Sequence, residues 1–479
     1  MTQKVEKWDI FEVTLEGPKE GNPFLDVNIS AIFKYKHRKV EVNGFYDGSG
    51  VYKIRFMPDK IGEWTYETNS NIKDLAGEKG CFTCKSPVSD HNHGPVRIHN
   101  KYHFVYEDGT PFYQLGTTCY VWNHQGDKLE EQTLETLKGA PFNKLRMCVF
   151  PKRYVFNQNE PELYPFEGSL EGKWDFSRFN PEFFQHLEKR IKNLRDIGIQ
   201  ADLILFHPYD DEKWGFSKMK KEIDNRYLSY VTARLSSYRN IWWSMANEYD
   251  LMEDKSIQDW DRFFKIVQEN DPYQHLRSIH NCREFYDHNK PWVTHCSIQR
   301  HDTEKADEWR NKYAKPIVID ECGYEGNNHH GWGNITAQEM VHRFWDGYCN
   351  GGYVGHGETY VNPEDILWWS KGGLLHGESP ERLAFLKEIM EAMGPVTPSD
   401  ITWNSSVKNQ EGDYLVYSGN CTQSAYIYLN LPEGEDFKVN IIDTWEMTVK
   451  TIEEIASGKT KIELPEKPYI AVQASKVNH

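Results

Sequence analysis

Eight short apolar runs, separated by segments of helical period, constrain the fold of this chain more than any other feature in it. They are FYQLGTTCYVW (112–122), FNKLRMCVF (142–150), IQADLILFH (199–207), IWWSMANE (241–248), LRSIHN (276–281), WVTHCSIQ (292–299), PIVIDECGYEG (316–326) and GGYVGHGETY (351–360). Between them, PEFFQHLEKRIKNLRDIG (181–198) repeats Phe184, Leu187, Ile191 and Leu194 at helical spacing, with Pro181 suited to the first turn and Gly198 to the exit. Eight strands alternating with helices predict an α/β fold, a (β/α)₈ TIM barrel with insertions. A doubly wound open sheet is the alternative, but no Gly-rich phosphate turn follows the first strand.

The 479 residues exceed what one ordinary core organises, so two or three domains are expected. Residues 1–90 alternate with period two: in VYKIRFMPDKIGEWTYETN, Tyr52, Ile54 and Phe56 face one way, PDKIG turns the chain, and Trp64, Tyr66 and Thr68 form the return strand. This predicts a small antiparallel N-terminal β-sandwich, with SPVSDHNHGPVRI (86–98) as the linker out of it. The barrel is expected over 96–393. Alternation resumes in DYLVYSGN, SAYIYLNL and FKVNIIDTW, which predicts a C-terminal β-domain of the same kind over 394–479.

The net charge of −16 denies nucleic acid a basic footprint. The N-terminal residues contain no apolar run of signal-peptide length, and no stretch reaches membrane-spanning length, so the chain reads as soluble and cytoplasmic without a membrane partner. Nine cysteines, several within apparent strands, fit reduced thiols; Cys81 and Cys84 form a single C-x-x-C, a weak metal or redox signal without a second pair. Aromatic residues make up 14% of the chain, which suits stacking against flat apolar faces such as sugar rings as well as packing in β-domains.

In such barrels the reacting groups stand at the C-terminal strand ends. Read in order, those ends offer Trp122 and Asn123, then Arg146, His207, Asn247 with Glu248, His280 with Asn281, Gln299, Glu321, and His356 with Glu358. Polar groups at every end suggest one ring of function around a single mouth, although each alone could be a solvated side chain. Glu248 and Glu321 stand out, because strands four and seven can aim both into the same mouth. Glycoside hydrolysis needs such a pair, one carboxylate to attack the anomeric carbon and one to protonate the departing oxygen; a separation of about 5–5.5 Å is expected for retention. Asn247 is placed to meet a sugar hydroxyl. Arg146 and His207 are positioning groups, or Arg146 an internal ion pair. Trp368 or Trp369 offers a stacking platform, the other packing beneath it. Glu321 is expected to be held ionised near Arg146, and Glu248 to have the higher pKa.

Asn-Glu at the end of strand four, Glu at the end of strand seven, Arg146 and His207 resemble the retaining glycoside hydrolases of clan A. More narrowly, WSMANEYD, PIVIDECGYEG, GGYVGHGETY and LWWSKGGLLHGESPERLAFL resemble bacterial proteins with a DUF5060 β-domain, a DUF4038 barrel and a DUF5605 tail, related to the apiosidase-like barrels of family 140. The resemblance implies retention, with Glu248 as acid/base and Glu321 as nucleophile, no cofactor, and an oligosaccharide or polysaccharide of plant or microbial origin as substrate, apiose being one candidate sugar. Many clan members end strand eight near a tryptophan, whereas this chain has His356, Glu358 and Tyr360 there. A metal-dependent hydrolase would need paired histidines on strand one, which GTTCYVW lacks, and the adjacent His329 and His330 suit one ion poorly. A transglycosylase would use the same glutamates, and a catalytically silent carbohydrate-binding protein would not need them.

Overall fold

The computed structural model describes residues 3–210, 213–420 and 424–477. At its centre the eight apolar runs form parallel strands β1 (Gly116–Thr118), β2 (Lys144–Cys148), β3 (Gln200–Phe206), β4 (Ile241–Ala246), β5 (Arg277–Ser278), β6 (Cys296–Gln299), β7 (Ile317–Glu321) and β8 (Tyr353–His356). Each lies beside its successor, and β8 returns to β1. Between β5 and β6 the ladder narrows to one bridge, His280 with Ser297, so the barrel is nearly closed. Both faces of these strands are buried, which is why the runs read as almost continuously apolar.

The helices outside are α1 (Asp127–Gly139), α2 (Pro181–Asp196), α3 (Lys221–Leu235), α4 (Ile257–Asn270), α5 (Ala306–Tyr313), α6 (Ala337–Cys349) and α7 (Ser379–Met393). In α2 the Asn180 side chain accepts the Glu182 N–H, Pro181 occupies the first turn, and Gly198 leaves at φ +78°. Strict alternation fails once. Among the described residues the connection from β5 to β6 (279–295) carries no helix, because its Asn, Asp and Pro residues break any helical period.

The interior is layered. A three-stranded antiparallel sheet, Val96–His99, His103–Tyr106 and Pro111–Phe112, closes the N-terminal end of the barrel, with the Phe104 ring 5.1 Å and the Phe112 ring 5.9 Å from that of Trp242. Above this floor sits a buried ionic layer: Lys144 Nζ lies 2.7 Å from Asp320 Oδ1 and 3.1 Å from Asp202 Oδ2. Arg146, two residues along β2 and so on the same face, stands 3.7 Å from Asp202 and 3.9 Å from Asp320. Burial pushes the Asp320 carboxyl up, but Lys144 and Arg146 overcome it and hold it well below the usual range.

Two β-rich regions flank the barrel. In the first, Val51–Phe56 joins Phe11–Glu16 and Phe45–Tyr46 in one sheet, while Gly62–Ser70 belongs to a second with Ile29–Tyr35, Arg38–Asn43, Lys79–Lys85 and Gln3–Glu6. The expected hairpin through PDKIG is therefore a crossing between sheets. Its two strands pair with other partners because Phe56 and Trp64 both turn into the cluster between the sheets, with Phe11, Phe33 and Phe82. The region is also not wholly antiparallel, since Gln3–Glu6 runs parallel to its neighbour. Cys81 is exposed and Cys84 buried. Arg55 of this region pairs with Glu188 of α2 at 2.7 Å, and Arg234 of α3 pairs with Glu188 at 2.6 Å and with Asp47 at 2.8 Å. At the other end a six-stranded sheet lays Val407, Leu415 and Tyr417 against Trp345 and Phe344 of α6. No helix among the described residues is long and apolar enough to cross a membrane.

Lys144→Met keeps the side-chain volume but leaves Asp202 and Asp320 buried without their nearest cation. It should cost about 3–5 kcal/mol of unfolding free energy; a denaturant titration showing less than about 1 kcal/mol would deny the layer its structural role.

Candidate active site

At the C-terminal ends of the strands lies a cavity of about 730 Å³. Glu248 and Glu321 both line it, as do Gln299 and Trp369. The chain after β4 turns at once: Glu248 sits in the left-handed region at φ +50°, ψ +54°, a conformation that costs a residue with a side chain about 1–3 kcal/mol. This aims its carboxylate back across the mouth and starts a short turn, Tyr249–Leu251. Glu321 is the last residue of β7.

Each glutamate is held by a tyrosine. The Tyr209 hydroxyl donates to Glu248 Oε2. The Tyr120 hydroxyl stands between Glu321 Oε1, to which it donates, and Asn247 Oδ1 at 3.0 Å. Asn247 Nδ2 in turn donates to Glu248 Oε2 at 3.2 Å, so one chain of polar contacts joins the two carboxylates. Asn247 is 1% exposed and forms this link behind the cavity wall. Arg146 lies behind it, donating from Nη2 to Asn247 Oδ1 at 2.9 Å.

His280 approaches Glu321 from the side, with Nε2 3.3 Å from Oε1. Ser297 Oγ gives its single proton to Asp320 Oδ2 at 2.5 Å, so it accepts from His280 Nδ1 at 3.0 Å. The proton of His280 is therefore on Nδ1, and Nε2 faces Glu321 and the Gln299 amide as an acceptor. Burial, with Arg146 adding to it, holds this imidazole well below its ordinary pKa, in agreement with the neutral tautomer. The Gln299 amide, oriented so that both its ends are satisfied, donates to Glu321 Oε2 at 3.2 Å and to the Asn281 carbonyl at 3.3 Å. Burial pushes the Glu321 carboxyl up to about 7, against the opposing pull of the Tyr324 phenol. The expectation of a low pKa beside Arg146 is thus reversed, because that guanidinium is turned to Asn247 and the buried aspartates.

Several residues read from the strand ends stand outside the cavity wall. Trp122 and Asn123 lie beyond β1, which stops at Thr118; Trp122 is in the barrel-to-helix core with Nε1 3.4 Å from Met147 Sδ, and Asn123 donates to the Cys148 carbonyl. His207 Nε2 is 3.3 Å from the Phe150 carbonyl, its Nδ1 accepts the Tyr209 N–H at 3.1 Å, and burial lowers its pKa to about 3, so it is a neutral brace for the loop that carries Tyr209. His356 is still inside the barrel, stacked on Phe142 with Nδ1 2.9 Å from Thr117 Oγ1. Trp368 donates to the same Thr117 oxygen, leaving Trp369 as the one of that pair on the cavity. Glu358 turns away to accept the His376 and Gly377 N–H groups, beside Glu325, which accepts those of Glu378 and Ser379. Burial pushes Glu358 up to about 8.

Among the described residues, two groups bring metal-type ligand atoms within 4.8 Å of one another: Glu325, His356 and Glu358, and Asp127, Glu130 and His186. In the first, backbone N–H groups already meet the two carboxylates, while His356 Nε2 is buried without a partner; in the second, Arg190 and Lys189 meet the carboxylates. The cavity is completed by residues that the strand-end reading missed: Tyr120, Lys152, Tyr154, Phe156, Tyr209, Tyr324, His330 and Trp332. Tyr120 and Tyr209 each lie two residues from a residue that was singled out. The others ride on the loops after β2 and β7, and no local pattern marks them.

Residues 98–427 match the model of the apiosidase-like catalytic domain, residues 4–71 match DUF5060 and residues 403–475 match DUF5605. The chain belongs to the apiosidase-like family. The family model spans all eight strands and both glutamates. A crystal structure from Bacteroides vulgatus ATCC 8482, of a chain assigned to the glycoside hydrolases, is 41% identical, with a TM-score of 0.94 over 99% of this chain and 100% of that one. A family 5 glycoside hydrolase from the same organism is 15% identical, with a TM-score of 0.62 over 80% of this chain and 93% of that one, and shares the fold. No curated protein matches. Family membership and the full-length likeness place this chain among the glycoside hydrolases.

Because burial raises Glu321 from its ordinary 4.5 to about 7, folding the ionised side chain costs stability. The penalty is absent below pH 4.5 and fully felt above pH 7. Glu321→Gln, which mimics the neutral acid, should match the unsubstituted protein in acid and exceed it above neutrality by about 2–3 kcal/mol. A stability difference that stays constant across this range in unfolding measurements would contradict the assignment.

Proposed function

We propose that this chain is a retaining glycoside hydrolase of clan A type, cleaving O-glycosidic bonds of plant or microbial oligosaccharides or polysaccharides by double displacement. Glu321 is the nucleophile and Glu248 the acid/base. The observation that carries this reading is the pair of carboxylates from the ends of β4 and β7 in one cavity, each braced by a tyrosine hydroxyl and joined through Asn247. In the same reading the flanks are β-sandwich domains over 1–90 and 394–479, around a catalytic barrel over 96–393.

The first step requires Glu321 ionised, with its charge received by the Tyr120 hydroxyl and the Gln299 amide as it attacks the anomeric carbon. Glu248 protonates the departing oxygen. Once Glu321 is esterified its charge is gone, and Glu248 then takes a proton from the incoming water. Asn247 acts through Glu248, fixing the carboxylate that the left-handed turn has aimed. Trp369 offers an aromatic face, and His207 and His280 position the tyrosine and the nucleophile. Since Glu321 titrates near 7, kcat/KM should rise with pH up to about neutrality.

Glu321→Ala should lose activity on every glycoside by roughly 10³-fold or more. Glu248→Ala should lose about 10²–10⁴-fold on substrates whose leaving group needs a proton, yet still form the intermediate from activated aryl glycosides. Azide should then accelerate turnover of Glu248→Ala and give a glycosyl azide of retained configuration. Labelling of Glu248 by a fluorosugar, or inversion in the first-formed product by NMR, would refute the assignment.

A further inference from the structure

Among the described residues four lysines are buried, and three are paired: Lys144 with Asp202 and Asp320, Lys255 with Asp224 at 2.6 Å, and Lys371 with Asp365 at 3.0 Å. The fourth, Lys152, is 2% exposed and lines the cavity that holds Glu248 and Glu321. Among the described residues no carboxylate pairs with its ammonium and no oxygen accepts its protons. Aromatic rings surround it instead. Nζ lies 3.7 Å from the Tyr120 ring centroid, 4.1 Å from that of Tyr209 and 4.6 Å from that of Tyr154.

Ring faces attract a cation but accept none of its three N–H bonds in the geometry an oxygen offers. An unpaired buried ammonium is costly, and burial here pulls Lys152 down to about 8 although Glu248 draws it up. Such a group in a ligand cavity calls for an anion from the ligand. Its position says which part of the ligand. Tyr120 holds Glu321 and Tyr209 holds Glu248, so the ammonium lies between the rings that brace the two carboxylates, beside the sugar that must lie across them. We propose that Lys152 determines specificity by pairing with a carboxylate on the sugar ring whose bond is cleaved, so that the preferred substrates are glycosides of uronic acids. This rests on the glycosidase reading above.

The test uses paired 4-nitrophenyl glycosides that differ only in carrying a carboxylate or a hydroxymethyl group at C5, in the gluco, galacto and manno configurations and both anomers. In the configuration that is turned over, kcat/KM should favour the uronide by roughly 10- to 100-fold. Lys152→Met should abolish or reverse that ratio, and Lys152→Arg should keep part of it. Because the readout is a ratio, a general loss of folding or turnover cancels. The preference should fade between pH 7 and 9, with a midpoint near 8 as the ammonium loses its proton. Preference for the neutral member, or an equal loss on both members in Lys152→Met, would leave the lysine as a packing element only and overturn the inference. If no glycoside of either kind is hydrolysed, the glycosidase reading falls first. The inference is then decided by thermal stabilisation with D-glucuronate and D-galacturonate against the matching neutral sugars. Stabilisation by a uronate that disappears in Lys152→Met supports it, and its absence overturns it.

Discussion

Two lysine- and arginine-type cations and two aspartates lie on top of one another inside the barrel, and the active site is assembled from what they leave over. Lys144, Arg146, Asp202 and Asp320 balance in charge, as a dry interior requires. Two branches rise from this layer. One runs from Asp320 through Ser297 to His280 and reaches Glu321; the other runs from Arg146 to Asn247 and reaches Glu248. Each catalytic candidate therefore has its own line of polar contacts down to the same charges. The orientation of the site is set from below by the barrel, and the loops that surround the mouth add shape to it.

The two branches give the glutamates different surroundings. Glu321 ends a strand and meets an imidazole that offers a lone pair, with neutral donors elsewhere, so burial dominates and its carboxyl titrates high. Glu248 leaves the strand in a left-handed turn and takes donors from Tyr209 and Asn247. A barrel strand end by itself would treat two glutamates alike. The difference lies in the remaining neutral partners: His280 turns a lone pair to Glu321, whereas Asn247 turns an N–H to Glu248.

Much of this was legible in the sequence wherever a residue's environment is local. The eight runs mark the eight strands because strands buried on both faces must be apolar throughout, and Asn247, Glu248 and Glu321 are visible as the polar residues that interrupt such runs. Trp122, Asn123 and His207 show the limit. After β1 the apolar run continues past its last ladder bond into the core and overshoots the mouth, which is met at Tyr120, whereas after β3 the run stops short of it at His207 and the mouth is met at Tyr209. His356 fails differently, since β8 buries it inside the barrel against Phe142. Lys152, Tyr154, Phe156 and Trp332 arrive on loops whose return to the mouth depends on contacts distant in sequence. The hairpin read through PDKIG is of the same kind: alternation gives the face of a strand and says nothing of its partner.

Arg55, Glu188, Arg234 and Asp47 bear on how such a chain can vary. The contact between the N-terminal sheets and helices α2 and α3 is a set of alternating buried charges contributed by both sides. Each side carries one charge of either sign, and lifting the sheets away would break the Arg55–Glu188 and Asp47–Arg234 pairs, leaving Arg234 with Glu188 and Arg55 with Glu12. The N-terminal region is thus not an exchangeable cassette on this barrel. A recombined chain would have to inherit Asp47 and Arg55 together with Glu188 and Arg234 to keep both pairs across the seam.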